Sequence, residues 1–218
     1  MDVCFKTGSL SVKLLGVTLD NRLSFTEYIG SLCKKATAKV HALRRISHFL
    51  SENQRNLLAS SFVISEFGYC PLVWGFSSRS SVKKINRIIS RSGYSIDRSH
   101  DASGSFDIHR MHCMTLLREI YKTKMGLNPE YMGDVFPFRA DIGYCLRSGD
   151  TLNRRRIRTV RDGLQTPSYI GAQLWDSLEP SIKAAPDLKA FCSGILTSNL
   201  DCRCRICACY VQNLGFIN

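Results

Sequence analysis

Four cysteines fall within eight residues, Cys202, Cys204, Cys207 and Cys209. Four thiolates are enough for a tetrahedral zinc ion, with Zn–S near ~2.3 Å. The spacing C-x-C-x-x-C-x-C is tighter than paired C-x-x-C knuckles and has no distant second pair. That favours unmetallated thiols in a frayed tail, with a zinc site as the competing reading. His109 and His112 stand three apart, so two imidazoles can share one helix face and bind metal. No third ligand is placed beside them, and a helix start with exposed polar residues is the simpler reading. The remaining cysteines (Cys4, Cys33, Cys70, Cys113, Cys145, Cys192) are scattered, mostly among apolar neighbours, unlike the disulfide framework of a small secreted chain.

Charge offers a second chemistry. The 218 residues carry 30 Lys+Arg against 18 Asp+Glu, a net +12. Residues 33–98 hold twelve of the basic residues against three acids, and Arg147, Arg154, Arg155, Arg156, Arg158 and Arg161 face only Asp150 and Asp162. Clustered cations concentrate polyanions and release condensed counterions when they meet phosphates. Nucleic acid is therefore the first partner to consider, against the plain reading of a solvated basic surface. Ser/His/Asp groupings, a Gly-rich phosphate loop and paired carboxylates do not stand out. No run approaches the ~18 apolar residues of a membrane span, and Asp2, Lys6 and Lys13 interrupt the start, so the expectation is a soluble intracellular chain, in nucleus or cytoplasm, with no membrane partner.

The elements that must position these groups follow from hydrophobic period and capping residues. Residues 10–20 are rich in branched apolar side chains and end at Asp20-Asn21, which predicts a strand. Ser24 with Glu27 has the capping-box spacing. Phe25, Tyr28, Ile29, Leu32, Ala36, Val40, Leu43 and Ile46 then recur at helical spacing, with Lys34, Lys35, Lys39, Arg44 and Arg45 projecting mostly elsewhere. Ser51 with Gln54 repeats the device and predicts a second helix toward Gly68. Ser80 or Ser81 caps a third, with Val82, Ile85, Ile88 and Ile89 on one side and Lys83, Lys84, Arg87 and Arg91 around the other. Residues 92–105 are small, polar and aperiodic, as in a linker. Beyond it a helix spans 109–124 and ends at Gly126. Loop over 131–151, a strand over 156–161, a helix over 168–178 and a last helix starting at Pro186 follow. Trp74 and Trp175 read as core anchors.

Strung together, several segments resemble one family. Val12-Lys13-Leu14-Leu15-Gly16-Val17-Thr18-Leu19-Asp20, Leu32-Cys33-Lys34-Lys35-Ala36, Phe67-Gly68-Tyr69-Cys70-Pro71-Leu72-Val73-Trp74 and Ile85-Asn86-Arg87-Ile88 come first. Glu119-Ile120-Tyr121-Lys122, Arg158-Thr159-Val160-Arg161-Asp162-Gly163, Gly171-Ala172-Gln173-Leu174-Trp175 and Cys204-Arg205-Ile206-Cys207 follow. Each is weak alone, but their order resembles the region after the active site in reverse transcriptases of non-LTR (LINE-type) retrotransposons, over nearly the whole chain. The resemblance implies a part of an RNA-directed DNA polymerase comprising the end of the palm, the thumb and a C-terminal extension. It implies template–primer backbone contact through Lys34, Lys35, Lys39, Arg44, Arg45, Lys83, Lys84 and Arg87, and a palm and fingers region as a further partner.

The family's Tyr-x-Asp-Asp motif is absent and no two acids are adjacent, so the acids that hold two metal ions for polymerisation are missing. The expected chain is not an enzyme on its own. Ser90-Arg91-Ser92-Gly93-Tyr94-Ser95 and Cys192-Ser193-Gly194 depart from the family pattern and suggest a truncated copy of a mobile element. The expected architecture is mainly α. It has an end-of-palm strand or hairpin over 1–20, a thumb-like amphipathic bundle over 21–98, a linker over 99–107, a smaller α+β half over 108–199 and a Cys-rich tail over 200–218. The alternative is a non-catalytic interaction or structural module, or a non-functional remnant of a mobile element.

Overall fold

Leu15 and Gly16 both take positive φ, 46° and 87°, the backbone that a two-residue type I′ turn demands and that glycine adopts at little cost. The single strand expected over 10–20 is for that reason a hairpin. Strands β1 (Ser11–Leu14) and β2 (Val17–Asp20) pair antiparallel, with Val12 opposite Leu19 and Leu14 opposite Val17. The computed structural model describes residues 11–94, 107–139, 151–154, 166–200, 202, 204, 206 and 207, and the chain divides into two compact units, Met1–Ile108 and His109–Asn218. The described residues are mainly helical. The expected strand over 156–161, most of the linker, Cys209 and the arginines at 147, 155, 156, 158 and 161 lie outside them.

In the first unit, helix α1 (Thr26–Ile46) buries Tyr28, Ile29, Leu32, Ala36, Val40 and Leu43 of the expected stripe together with Cys33, while Ile46 at its C-terminal end is exposed. Its entry differs from the expected capping box. Phe25 occupies the N-cap position in the left-handed region, with no side-chain cap. The Asp20 carboxylate instead accepts from the backbone N–H groups of Arg22, Ser24 and Phe25 and from Ser24 Oγ, tying the end of β2 to the helix start. An ionised carboxylate is a stronger acceptor than a hydroxyl, so Asp20 captures Ser24 that would otherwise cap.

Helix α2 (Glu52–Leu58) has the predicted box in full, with both Ser51 and Gln54 side chains engaged. The chain continues toward Gly68 with its winding changed, as a π segment at Ala59–Val63 and a 3-10 segment at Ile64–Phe67. These turn Ala59, Val63, Ile64 and Phe67 inward. Cys70 in the left-handed region introduces the short α3 (Pro71–Trp74), and Trp74 is buried edge-on to Tyr28 with its indole N–H donated to the Tyr69 carbonyl. Helix α4 (Arg79–Arg91) is preceded by Ser78 rather than capped by Ser80 or Ser81. It buries Val82, Ile85, Ile88 and Ile89. Burying each such side chain contributes ~1.5–3 kcal/mol, so this stripe seats α4 on α1.

In the second unit, α5 (Ile108–Lys124) ends where Gly126 takes φ +66°. Leu127 N–H reaches the Lys122 carbonyl and Gly126 N–H reaches Thr123, a Schellman termination at the predicted glycine. The stretch expected to be loop contains the short α6 (Tyr131–Val135) and an isolated bridge between Phe138 and Leu152. Helices α7 (Pro167–Ser177), α8 (Pro180–Lys183) and α9 (Leu188–Thr197) follow. The last helix starts at Leu188 rather than at Pro186, and Asp187 caps it, its carboxylate accepting from Ala190 N–H. Tyr121 stacks on Phe191 at 4.3 Å and Phe138 meets Trp175 edge-on at 5.8 Å, which fixes α5, α7 and α9 around one aromatic core. Among the described residues no helix is long and apolar enough to cross a membrane.

Candidate metal centre and basic helix face

The first turn of α5 delivers His109 to the interior, and the same helix holds the chain that brings the cysteines back. Arg110 donates to the carbonyls of Leu196 and Ser198 at the end of α9, 3.2 and 2.9 Å away. The segment leaving α9 therefore starts beside α5. It returns Cys202, Cys204 and Cys207, with Cys204 and Ile206 buried and Cys207 N–H bonded to the Cys204 carbonyl. His109 Nε2 lies 3.5 Å from Cys202 Sγ and 3.2 Å from Cys204 Sγ.

The donor atoms of His109, Cys202, Cys204 and Cys207 all lie within 4.8 Å of one another, so this cluster can hold a metal ion. Three of the four expected cysteines come together, and the fourth donor is an imidazole. Cys209 lies outside the described residues.

Two sequence expectations change here. Cys204 and Ile206 do not behave as part of a frayed tail, because both are as buried as the core. His109 and His112 are not exposed polar residues of a helix start either. Both are buried, and His109 contacts Cys202 and Cys204. Arg110 and Met111 between them stay partly exposed, so the two imidazoles lie on the inward side of this turn.

The electrostatics suit a cation. Burial opposes charge on the His109 imidazole, but its contacts with Cys202 and Cys204 outweigh that and raise its pKa to about 10. Contacts with Cys113, Cys204 and Cys207 push the Cys202 thiol down in spite of burial, whereas Cys207 is pushed up by Cys202, Cys204 and burial. Thiolates this close together raise one another's cost. A divalent cation removes that cost, since a coordinated thiol is deprotonated outright, and its entry releases the imidazolium and thiol protons.

The basic residues of the first unit divide by helix. On α1, Lys39 forms an ion pair with Glu66 and is only partly exposed. Lys34 and Arg45 stand opposite the buried stripe, while Lys35 and Arg44 lie roughly half a turn apart on its two flanks at ~3.6 residues per turn. The five therefore do not make one contact surface. On α4, Lys83, Arg87 and Arg91 recur every fourth residue with Lys84 alongside. All four are exposed, and the helix contains no acid. Their spacing gives a ridge rising in steps of ~6 Å at ~1.5 Å per residue. Lys84 sits close enough to Cys33 to offset part of the rise that burial imposes on that thiol, which puts it beside the α1–α4 seam. In the second unit, Arg154 pairs with Asp176 at 2.6 Å, so it is engaged rather than part of a bare cationic patch.

Comparison with protein-family models, curated proteins and solved structures returns no match for this chain.

Proposed function

We propose that this chain binds the phosphate backbone of RNA or an RNA–DNA duplex without reading its sequence, as a non-catalytic region of a non-LTR reverse transcriptase lying beyond the palm. The acid-free row Lys83, Lys84, Arg87 and Arg91 on α4 carries this reading. Cations on one helix face position a duplex and release its counterions, and nothing in that chemistry requires a base contact. The ordered family-like segments supply the polymerase context, and the absent Tyr-x-Asp-Asp motif assigns no catalysis to this region. Zinc is the ion we assign to His109, Cys202, Cys204 and Cys207, because one imidazole and three thiolates form a common tetrahedral structural set. It holds the returning chain against α5. Filter binding of an RNA–DNA duplex at two salt concentrations tests the nucleic-acid reading, and retention is expected at low salt and lost at high salt.

A second reading has its own support. Leu15, Leu23, Phe49, Leu57 and Phe62 of the first unit are large, apolar and exposed. Exposed apolar side chains of this kind suit an interaction module that packs on a protein partner, such as a polymerase palm. Binding that strengthens rather than weakens with salt favours this reading.

A further inference from the structure

Cys113 stands one helical turn beyond His109 on α5, fully buried, with its Sγ 3.6 Å from His109 Nε2. It also contacts Cys202. In a zinc tetrahedron with Zn–S near ~2.3 Å and Zn–N near ~2.0–2.1 Å, neighbouring S and N donors stand ~3.5 Å apart. The His109 nitrogen keeps that separation from Cys113 as it does from Cys202, at 3.6 and 3.5 Å. Cys113 is thus a further sulfur beside the four-donor cluster, next to His109 and Cys202. His109 and Cys113 are fixed at i, i+4 on one helix, and Cys202, Cys204 and Cys207 come from the returning chain.

We propose that Cys113 is a fifth donor of the metal centre, taking the place of Cys207 when that cysteine leaves the ion. Cys207 is the most replaceable member. Cys202 and Cys207 are both half-buried, but Cys202 touches His109 and Cys113, whereas Cys207 stands at the far end of the cluster; Cys204 is buried and His109 and Cys113 are anchored in α5. The exchange is a ligand substitution with no change of oxidation state: the Zn–S bond to Cys207 breaks, that thiolate takes up a proton, and the Cys113 thiol loses one as its Zn–S bond forms. The ion stays four-coordinate, with one nitrogen and three sulfurs. This inference rests on the zinc reading above, and it gives the centre a route to release or pass on its metal by stepwise thiolate exchange.

The test uses the full chain, reduced, loaded with Co²⁺ as a probe of thiolate number and with Zn²⁺ for affinity by chelator competition. Wild type is expected to bind one ion with three thiolates. Cys207→Ser keeps the three-thiolate charge-transfer intensity and an affinity within about tenfold of wild type. Cys113→Ser keeps both as well. The double variant drops to two thiolates and loses at least about 100-fold in affinity, since losing even an outer partner of a ligand costs ~10–100-fold. A fall to two thiolates in Cys207→Ser alone overturns the role of Cys113 while leaving the zinc centre standing. Absence of any ion in the folded wild type, with native helical circular dichroism, overturns the zinc reading and this inference with it.

Discussion

Cys204 Sγ lies 3.2 Å from His109 Nε2 although 95 positions separate the two residues. One is fixed by the first turn of α5, the other by a short return from α9 that Arg110 holds at its start. A metal ion at this junction closes a loop that spans almost the whole second unit, and closure of long loops is where a clip contributes most in principle.

The first expected outcome concerns that clip. Cys204→Ser removes a buried ligand, so zinc retained by the reduced protein through a chelator column falls from about one equivalent to near none, and the thermal midpoint drops. Because ligands must be deprotonated, the metal leaves as pH falls, and the zinc-bound and chelated proteins converge in stability in acid. Equal metal content in wild type and variant contradicts the ligand role.

Asp20 gives a pH dependence of different origin. Slight burial opposes its charge, but hydrogen bonds from Ser24, Phe25 and Arg22 outweigh this and hold its carboxyl below its ordinary value. A depressed folded pKa stabilises the protein above the unfolded pKa, and that contribution is lost as pH falls through the folded value. Asp20→Asn therefore lowers stability at pH 7 by about 1 kcal/mol, the usual cost of a lost helix-entry acceptor, and the difference from wild type shrinks below about pH 4. Urea titrations at pH 7 and pH 3 measure both.

Gly171 on α7 faces α5 so closely that a Cβ there stands 2.7 Å from Ile120 Cδ1. Gly171→Ala gains up to ~1 kcal/mol in helix propensity but overpacks a core where such insertions cost ~1–3 kcal/mol, so net destabilisation is expected. Ile120→Val removes the colliding methyl. In a double-mutant cycle the alanine costs less in that background, and strict additivity counts against the close approach.

Much of the fold was legible in the residues themselves. The box at Ser51 and Gln54, the apolar stripes of α1 and α4, and the glycine stop after α5 are local patterns, and each forms as its spacing predicts. The expected N-terminal strand or hairpin is a hairpin; its turn at Leu15-Gly16 is not marked in the residues, because a continuous branched-apolar run hides a turn that only backbone sign reveals. Ser24 was assigned a cap that Asp20 usurps from the preceding strand.

The metal centre was half legible. The thiol cluster near residue 204 is plain, but its imidazole partner, His109, lies in another element 95 positions away, and no local spacing links the two. Among the basic residues, charge density pointed to both helices, and only the angular positions separate the ridge on α4 from the divided set on α1.

The most direct measurement is the salt dependence of RNA–DNA duplex binding by wild type and by the Lys83→Gln, Arg87→Gln, Arg91→Gln triple variant. Log affinity of wild type is expected to fall linearly with log salt. The triple variant binds more weakly at low salt with a slope reduced by up to about three, near one per lost phosphate contact, at unchanged helical circular dichroism. Absence of salt-dependent binding by the folded wild type, or identical slopes for the two proteins, contradicts the assignment of α4 as the backbone-binding face.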